Sequence, residues 1–292
     1  MINNLSINKS SEGAPLLVNK RVYTNKEISN EIRKLEGFEY QANNIETCGT
    51  VEIYYRCGCG IIEIFRTCKY RICPHCSPRR SNTIHRTYFN PLKKHKIARS
   101  VFDSGLRLVT LTQRSKDSLL DGIISLHKYL KKLKERKYFK NFIFGGIGVI
   151  EVTKSNNKWH VHMHLIVDSR YLDMKHKPGE DSKFVKEWKK VTGGDCIVYV
   201  NRVYSHKGAL NYVLKYITKT NSNLTLEDTS IYFKETFRKR LVFTFGSLYN
   251  IAEKIEKVCR VCHEKFSYID SSHITELGWE YKIINPHKKG DP

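Results

Sequence analysis

What this chain lacks narrows it first. No stretch of eighteen apolar residues occurs, so a transmembrane helix is not expected. Residues 1–11 are polar and rich in Asn and Ser, which argues against an apolar leader and for an intracellular, cytoplasmic protein with no membrane partner. There is no GxxxxGK(S/T) loop, so P-loop nucleotide chemistry is excluded. Carboxylates are scarce too: 29 Asp and Glu against 51 Lys and Arg leave a formal charge of +22. A field of that size favours a polyanionic partner, most commonly nucleic acid, over a merely soluble lysine-rich surface.

Core material is plentiful: 292 residues with 40% hydrophobic side chains suffice for one large domain or two modest ones. The nine cysteines read as thiolate ligands rather than disulfides, because nine is odd and six of them crowd between Cys48 and Cys76. Cys73 and Cys76 have the two-residue spacing that lets both sulfurs reach one tetrahedral Zn²⁺. Their partners are sought among Cys57, Cys59, Cys68 and Cys48, with His75 and His85 as further choices. Arg66, Lys69, Arg71, Arg79 and Arg80 give this cluster a cationic rim suited to phosphates. A second two-spaced pair, Cys259 and Cys262, holds a second zinc if His263, His273, His287 or the N-terminal cysteines complete it.

Four segments follow: an arm over 1–47, a cysteine-rich zinc module over 48–100, a main domain over 101–250, and a tail over 251–292. In the arm, Thr24 and Glu27 form a capping box ahead of a helix. In the main domain the pattern runs strand (106–112), helix (118–138), hairpin (141–168), helix (180–191), strand (196–204), helix (206–220), short helix (227–238) and strand (241–245). That order predicts an α+β fold, an antiparallel sheet with helices packed on it.

Two stretches carry chemistry. In Trp159-His160-Val161-His162-Met163-His164-Leu165, the strand period of two puts the three imidazoles on one face and the apolar residues on the other. If the hairpin pairs symmetrically about Asn156 and Asn157, Glu151 lies across from His162. Two imidazoles and a carboxylate suit a divalent cation, with His162, His164 and Glu151 as ligands and His160 flanking. The second stretch is Tyr212-Val213-Leu214-Lys215-Tyr216-Ile217-Thr218-Lys219. On a helix Tyr212 and Tyr216 share a face, as do Lys215 and Lys219. A tyrosine becomes a competent nucleophile when a metal and cations lower its barrier.

The order and spacing of these motifs resemble the HUH endonuclease superfamily, and within it the rolling-circle replication initiators of small plasmids and viruses. Val109-Thr110-Leu111-Thr112 resembles the first motif, His162-Met163-His164 the metal-binding pair, and Tyr216-Ile217-Thr218-Lys219 the YxxK nucleophile motif. Glu151 stands where several families place a third ligand. The resemblance covers about 106–245, and Cys68 to Arg80 is similar to the cysteine-rich segment preceding the nuclease in some plasmid initiators. It implies a central antiparallel sheet of about five strands with helices on it, behind an N-terminal zinc-binding module. It also implies Mn²⁺- or Mg²⁺-dependent nicking and joining of single-stranded DNA at a replication origin. There Tyr216 would form a 5′-phosphotyrosine, Lys219 would hold phosphate, and the released 3′-OH would prime a host polymerase working with a host helicase. Single-tyrosine relatives commonly carry glutamate four residues before the nucleophile. Tyr212 there is similar to the two-tyrosine members, and is either a second nucleophile or packing. An HUH-type transposase shares this chemistry. A non-catalytic zinc-containing nucleic-acid-binding regulator would explain charge and cysteines, but not the His-x-His strand together with the tyrosine helix.

Overall fold

The computed structural model describes residues 23–98, 103–172, 181–218, 224–253, 258–259, 261–269 and 283–284, with only the backbone for 215–218 and 283–284. Its centre is the predicted hairpin, β4 (Ile143–Ser155) and β5 (Lys158–Ser169). Asn156 and Asn157 join the two strands at φ 49° and 56°. Two successive positive φ angles match the right-handed strand twist, and asparagine tolerates them better than most residues. The turn sets Ser155 opposite Lys158, and therefore Glu151 opposite His162, as symmetric pairing predicts. β3 (Gly105–Leu111) and β6 (Val198–Arg202) extend the sheet on one side and β7 (Val242–Gly246) on the other. The order is β6-β3-β5-β4-β7, antiparallel throughout. β7 packs close because β4 is glycine-rich: a Cβ on Gly148 would lie 2.3 Å from the Phe243 ring.

Helices cover both faces. On one, Val161, Met163, Leu165 and Val167 pack with Val109, Leu111, Ile150 and Val152 against α4 (Leu119–Glu135) and α6 (Lys183–Thr192). α1 (Asn25–Arg33), α2 (Glu39–Glu46), α5 (Lys137–Phe142) and α8 (Leu226–Thr236) complete that layer. The Thr24–Glu27 capping box opens α1, and the buried Ile28, Ile32, Ala42 and Ile45 join the main core. The helix expected over 118–138 is two helices: Arg136 turns extended (ψ 141°) and its guanidinium pairs with Glu187 of α6. On the opposite face, α7 (His206–Thr218) and α3 (Cys76–Lys93) cover Leu106, Leu108, Ile147, Val149 and Ile166 with Ala209, Leu210, Val213, Leu214 and Leu92. No helix among the described residues is long and apolar enough to cross a membrane.

A second sheet, not anticipated from the sequence, has the order β8-β1-β2-β9. β1 (Glu52–Cys57) and β2 (Gly60–Phe65) form a hairpin; β8 (Ser267–Ile269) pairs antiparallel with β1, and β9 (Ile283–Ile284) parallel with β2. The tail strands are two and three residues long, too short to show any alternation.

The face assignment of β5 is testable. Leu165, 1% exposed, sits in the apolar layer beneath the histidines. Leu165→Ala should cost about 3 kcal/mol in urea unfolding, whereas His162→Ala, on the open face, should cost well under half of that.

Candidate metal centres

The polar end of the α7 face is built from four strand residues. Thr110 of β3 pairs with His164 of β5, and Glu151 of β4 pairs with His162. Each therefore points to the same side as Leu108, Val149 and Ile166, the side that α7 covers. Glu151 Oε2 lies 2.9 Å from His164 Nε2 and 4.0 Å from His162 Nε2, so one carboxylate oxygen stands between two imidazoles. On its other side His164 Nδ1 is hydrogen-bonded to Thr110 Oγ1 at 3.0 Å, which fixes the ring and turns Nε2 toward the carboxylate. His164 and Glu151 are buried and His162 is half-buried at the rim. The donor set fits a divalent cation: two imidazoles and a carboxylate, one ring held in place by a hydroxyl and the other facing solvent.

His160 shares the face but is engaged at both nitrogens, by Ser115 Oγ at 2.6 Å and Ser155 Oγ at 2.7 Å. A cleft of about 620 Å³ opens beside it and His162, lined also by Arg114, Ser115, Lys189, Asp195 and Cys196, with Arg114 paired to Asp195. Tyr212 packs edge-on against His164, ring centroids 6.1 Å apart. α7 begins where His206 Nε2 donates to His95 O, at the Leu106 end of the sheet, and runs toward the histidines. The backbone of Tyr216 is one turn further on, about 6 Å along the axis. The side chains of Lys215 and Tyr216, and all of Lys219, lie outside the described residues.

The predicted zinc ligands divide between two places. Cys68, Cys73 and Cys76 gather with Cys48, and Cys57 and Cys59 gather with Cys259 and Cys262; within each set all four sulfurs lie within 4.8 Å of one another. His75, His85 and His263 belong to neither set. The β1–β2 hairpin explains the division. Cys48 and Cys68 flank its base while Cys57 and Cys59 sit at its tip, six residues or about 20 Å away. The symmetric placement of Cys48 and Cys68, each nine residues from the nearer cysteine of the Cys57-Gly58-Cys59-Gly60 turn, was the signal available in the sequence.

Both sets can hold a structural zinc. A tetrahedral ZnS₄ centre with bonds of about 2.3 Å has sulfur–sulfur edges of about 3.8 Å; Cys48 to Cys76 is 3.4 Å, Cys68 to Cys76 3.6 Å and Cys59 to Cys259 4.0 Å. Backbone N–H groups aim at the sulfurs, from Cys68 to Cys48, from Lys69 to Cys76 and from Val261 to Cys259. Lys69, at φ 62°, makes the knuckle turn. Hydrogen bonds from Cys68, then from Cys73, pull the Cys76 thiol down to about 2, while Cys73, then Cys76, push Cys68 above the usual thiol range. Thiols this crowded cannot all ionise without a cation among them. Asn25 ties the first set to α1, accepting from Cys73 and donating to Cys48 O. Glu264 ties the second to the hairpin by accepting from Gly58 N. Elemental analysis should find two zinc ions per chain. Cys73→Ser and Cys259→Ser should each leave one, and a single substitution that empties both sites would contradict the division.

Relatives are consistent with these features. The chain is similar to a "Protein rep" of Lentilactobacillus hilgardii, 26% identical over 196 residues, which are 60% of this chain and 61% of that protein. It is also similar to a "Protein rep" of a Bacillus species, 29% identical over 142 residues, 47% of this chain and 45% of that one. It thus spans less than two thirds of the length of these curated relatives. No solved structure matches it. A family model described as "Replication protein" matches residues 61–273, a stretch that contains the whole five-stranded sheet and the His–Glu centre, and the chain belongs to that family.

Proposed function

We propose that this protein is a rolling-circle replication initiator of the HUH type, from a small plasmid or virus. In this reading it nicks and rejoins single-stranded DNA at an origin. The observation that carries it is the Glu151 carboxylate bridging His162 and His164, with the tyrosine helix running over that end of the sheet.

When bound to His162, His164 and Glu151, Mn²⁺ or Mg²⁺ supplies Lewis-acid polarisation of the scissile phosphate. The chain's own residues do the rest. Thr110 holds His164 in its orientation. The cleft beside His162, with Arg114 and Lys189 on its walls, carries the strand toward the centre. Tyr216 loses its phenolic proton and attacks phosphorus; the P–O3′ bond breaks, leaving a 5′-phosphotyrosine and a 3′-OH that primes a host polymerase. Lys219 holds the phosphate. The ester keeps the energy of the cut bond, so a 3′-OH attacking it rejoins the strand without ATP. Tyr212, edge-on against His164, would serve in a second transfer or support the histidine ring.

The test is a denaturing gel after incubation with labelled single-stranded origin DNA and Mn²⁺. Wild type should form a covalent adduct, His164→Ala should reduce it by about 10³-fold, and the Tyr216→Phe/Tyr212→Phe double variant should form none. An undiminished adduct from that double variant would sink the reading. Separately, Thr110→Val should weaken Mn²⁺ binding by about 10- to 100-fold in titration calorimetry while leaving the melting temperature near wild type.

A further inference from the structure

A second concentration of positive charge lies away from the His–Glu centre. A cavity of about 410 Å³ opens between the zinc knuckle and the loop joining α8 to β7. Six cations line it: Lys69, Arg71 and Arg80 from the knuckle and the start of α3, and Arg238, Lys239 and Arg240 from the loop. Among the described residues, no carboxylate lines it. Tyr70 and Phe237 form an aromatic wall beside them, with ring centroids 6.2 Å apart.

The two arginines at the back of this cavity are placed at a cost. Arg71 Nη2 donates to Lys239 O at 3.1 Å, but Arg71 Nη1 and Arg80 Nε are buried with no hydrogen-bond partner. An oxyanion in the cavity would be held by the cations that line it.

The cavity lies near the centre described above. Val242, on its wall, pairs with Val149, which pairs with His164. Two strand spacings, about 10 Å, separate His164 from Val242 at the same level of the sheet. Leu241 O also accepts from Ile150 N, next to Glu151. An extended nucleic-acid strand reaching the histidines therefore has a neighbouring segment within reach of this pocket.

We propose that Arg71 and Arg80 clamp a backbone phosphate of the DNA strand, so that the cysteine module and the α8–β7 loop together form a second phosphate site. It rests on the reading that the protein acts on DNA. The clamp sets which phosphate is offered to the histidines, because both sites are built on the same sheet. It also assigns the first cysteine cluster a purpose beyond stability: it holds Lys69, Arg71 and Arg80 in place.

The experiment measures equilibrium binding of the full zinc-loaded chain to a fluorescent single-stranded oligonucleotide, as a function of salt and without Mn²⁺ or Mg²⁺. The Arg71→Gln/Arg80→Gln variant, once shown to keep wild-type zinc content and circular dichroism, should bind more weakly. Its log K against log salt slope should be shallower by about 0.7, because one phosphate is no longer neutralised. An unchanged slope overturns the clamp. Wild type that binds no DNA overturns the DNA reading as well, and adduct formation on the same oligonucleotide judges the nicking chemistry separately. A second measurement needs no variant. In wild type, the Nε–Hε resonances of Arg71 and Arg80 should shift saturably with inorganic phosphate, and the oligonucleotide should displace that phosphate. No shift, or a shift the oligonucleotide does not displace, overturns the proposal.

Discussion

The register between β4 and β5 is the constraint on which the rest of the structure depends. Because side chains alternate with a period of two, slipping β5 by one residue against β4 would send His162 and His164 into the apolar layer, away from Glu151, and Met163 and Leu165 out of it. The two positive-φ asparagines and the burial of Val161, Met163 and Leu165 act against that slip from opposite directions, one through the turn and one through the core. Everything at the His–Glu centre follows. Thr110 reaches His164 because β3 pairs with β5 in the matching register, and α7 approaches because the same face is apolar over Leu108, Val149 and Ile166.

The cysteine clusters solve a different problem. The four-stranded sheet is small, its tail strands are very short, and its hairpin has partly exposed faces, so apolar burial alone holds it weakly. Four-sulfur centres at the base and the tip of one hairpin replace the missing core, and the second joins segments 200 residues apart. Asn25 and the buried α1 and α2 residues then couple the first cluster to the main body. This coupling lets the knuckle's arginines stand in a fixed relation to the edge of the five-stranded sheet.

The two kinds of site differ in how their charges are balanced. At the His–Glu centre a carboxylate oxygen stands between the imidazole nitrogens, a donor set that a divalent cation would fit. At the knuckle pocket positive groups face one another with no carboxylate among the described lining residues, which is the arrangement an anion completes. The two requirements are complementary in a molecule carrying +22, and both are met within one end of the same sheet.

Much of this was legible in the sequence wherever the determining interactions are local. The capping box of α1, the turn at Asn156 and Asn157, the alternation of the histidine strand and its pairing with Glu151 all depend on residues within about a dozen positions of each other. Periodicity and turn chemistry act over that range, so these features can be read directly. The partition of eight cysteines between two centres, the hold of Thr110 on His164, the engagement of His160 by Ser115 and Ser155, and the meeting of Arg71 and Arg80 with the α8–β7 loop are another matter. Each joins groups from separate elements, most of them tens of residues or more apart. Spacing shows that a sulfur or a guanidinium is available, but which partners it meets is decided by the path of the backbone between them.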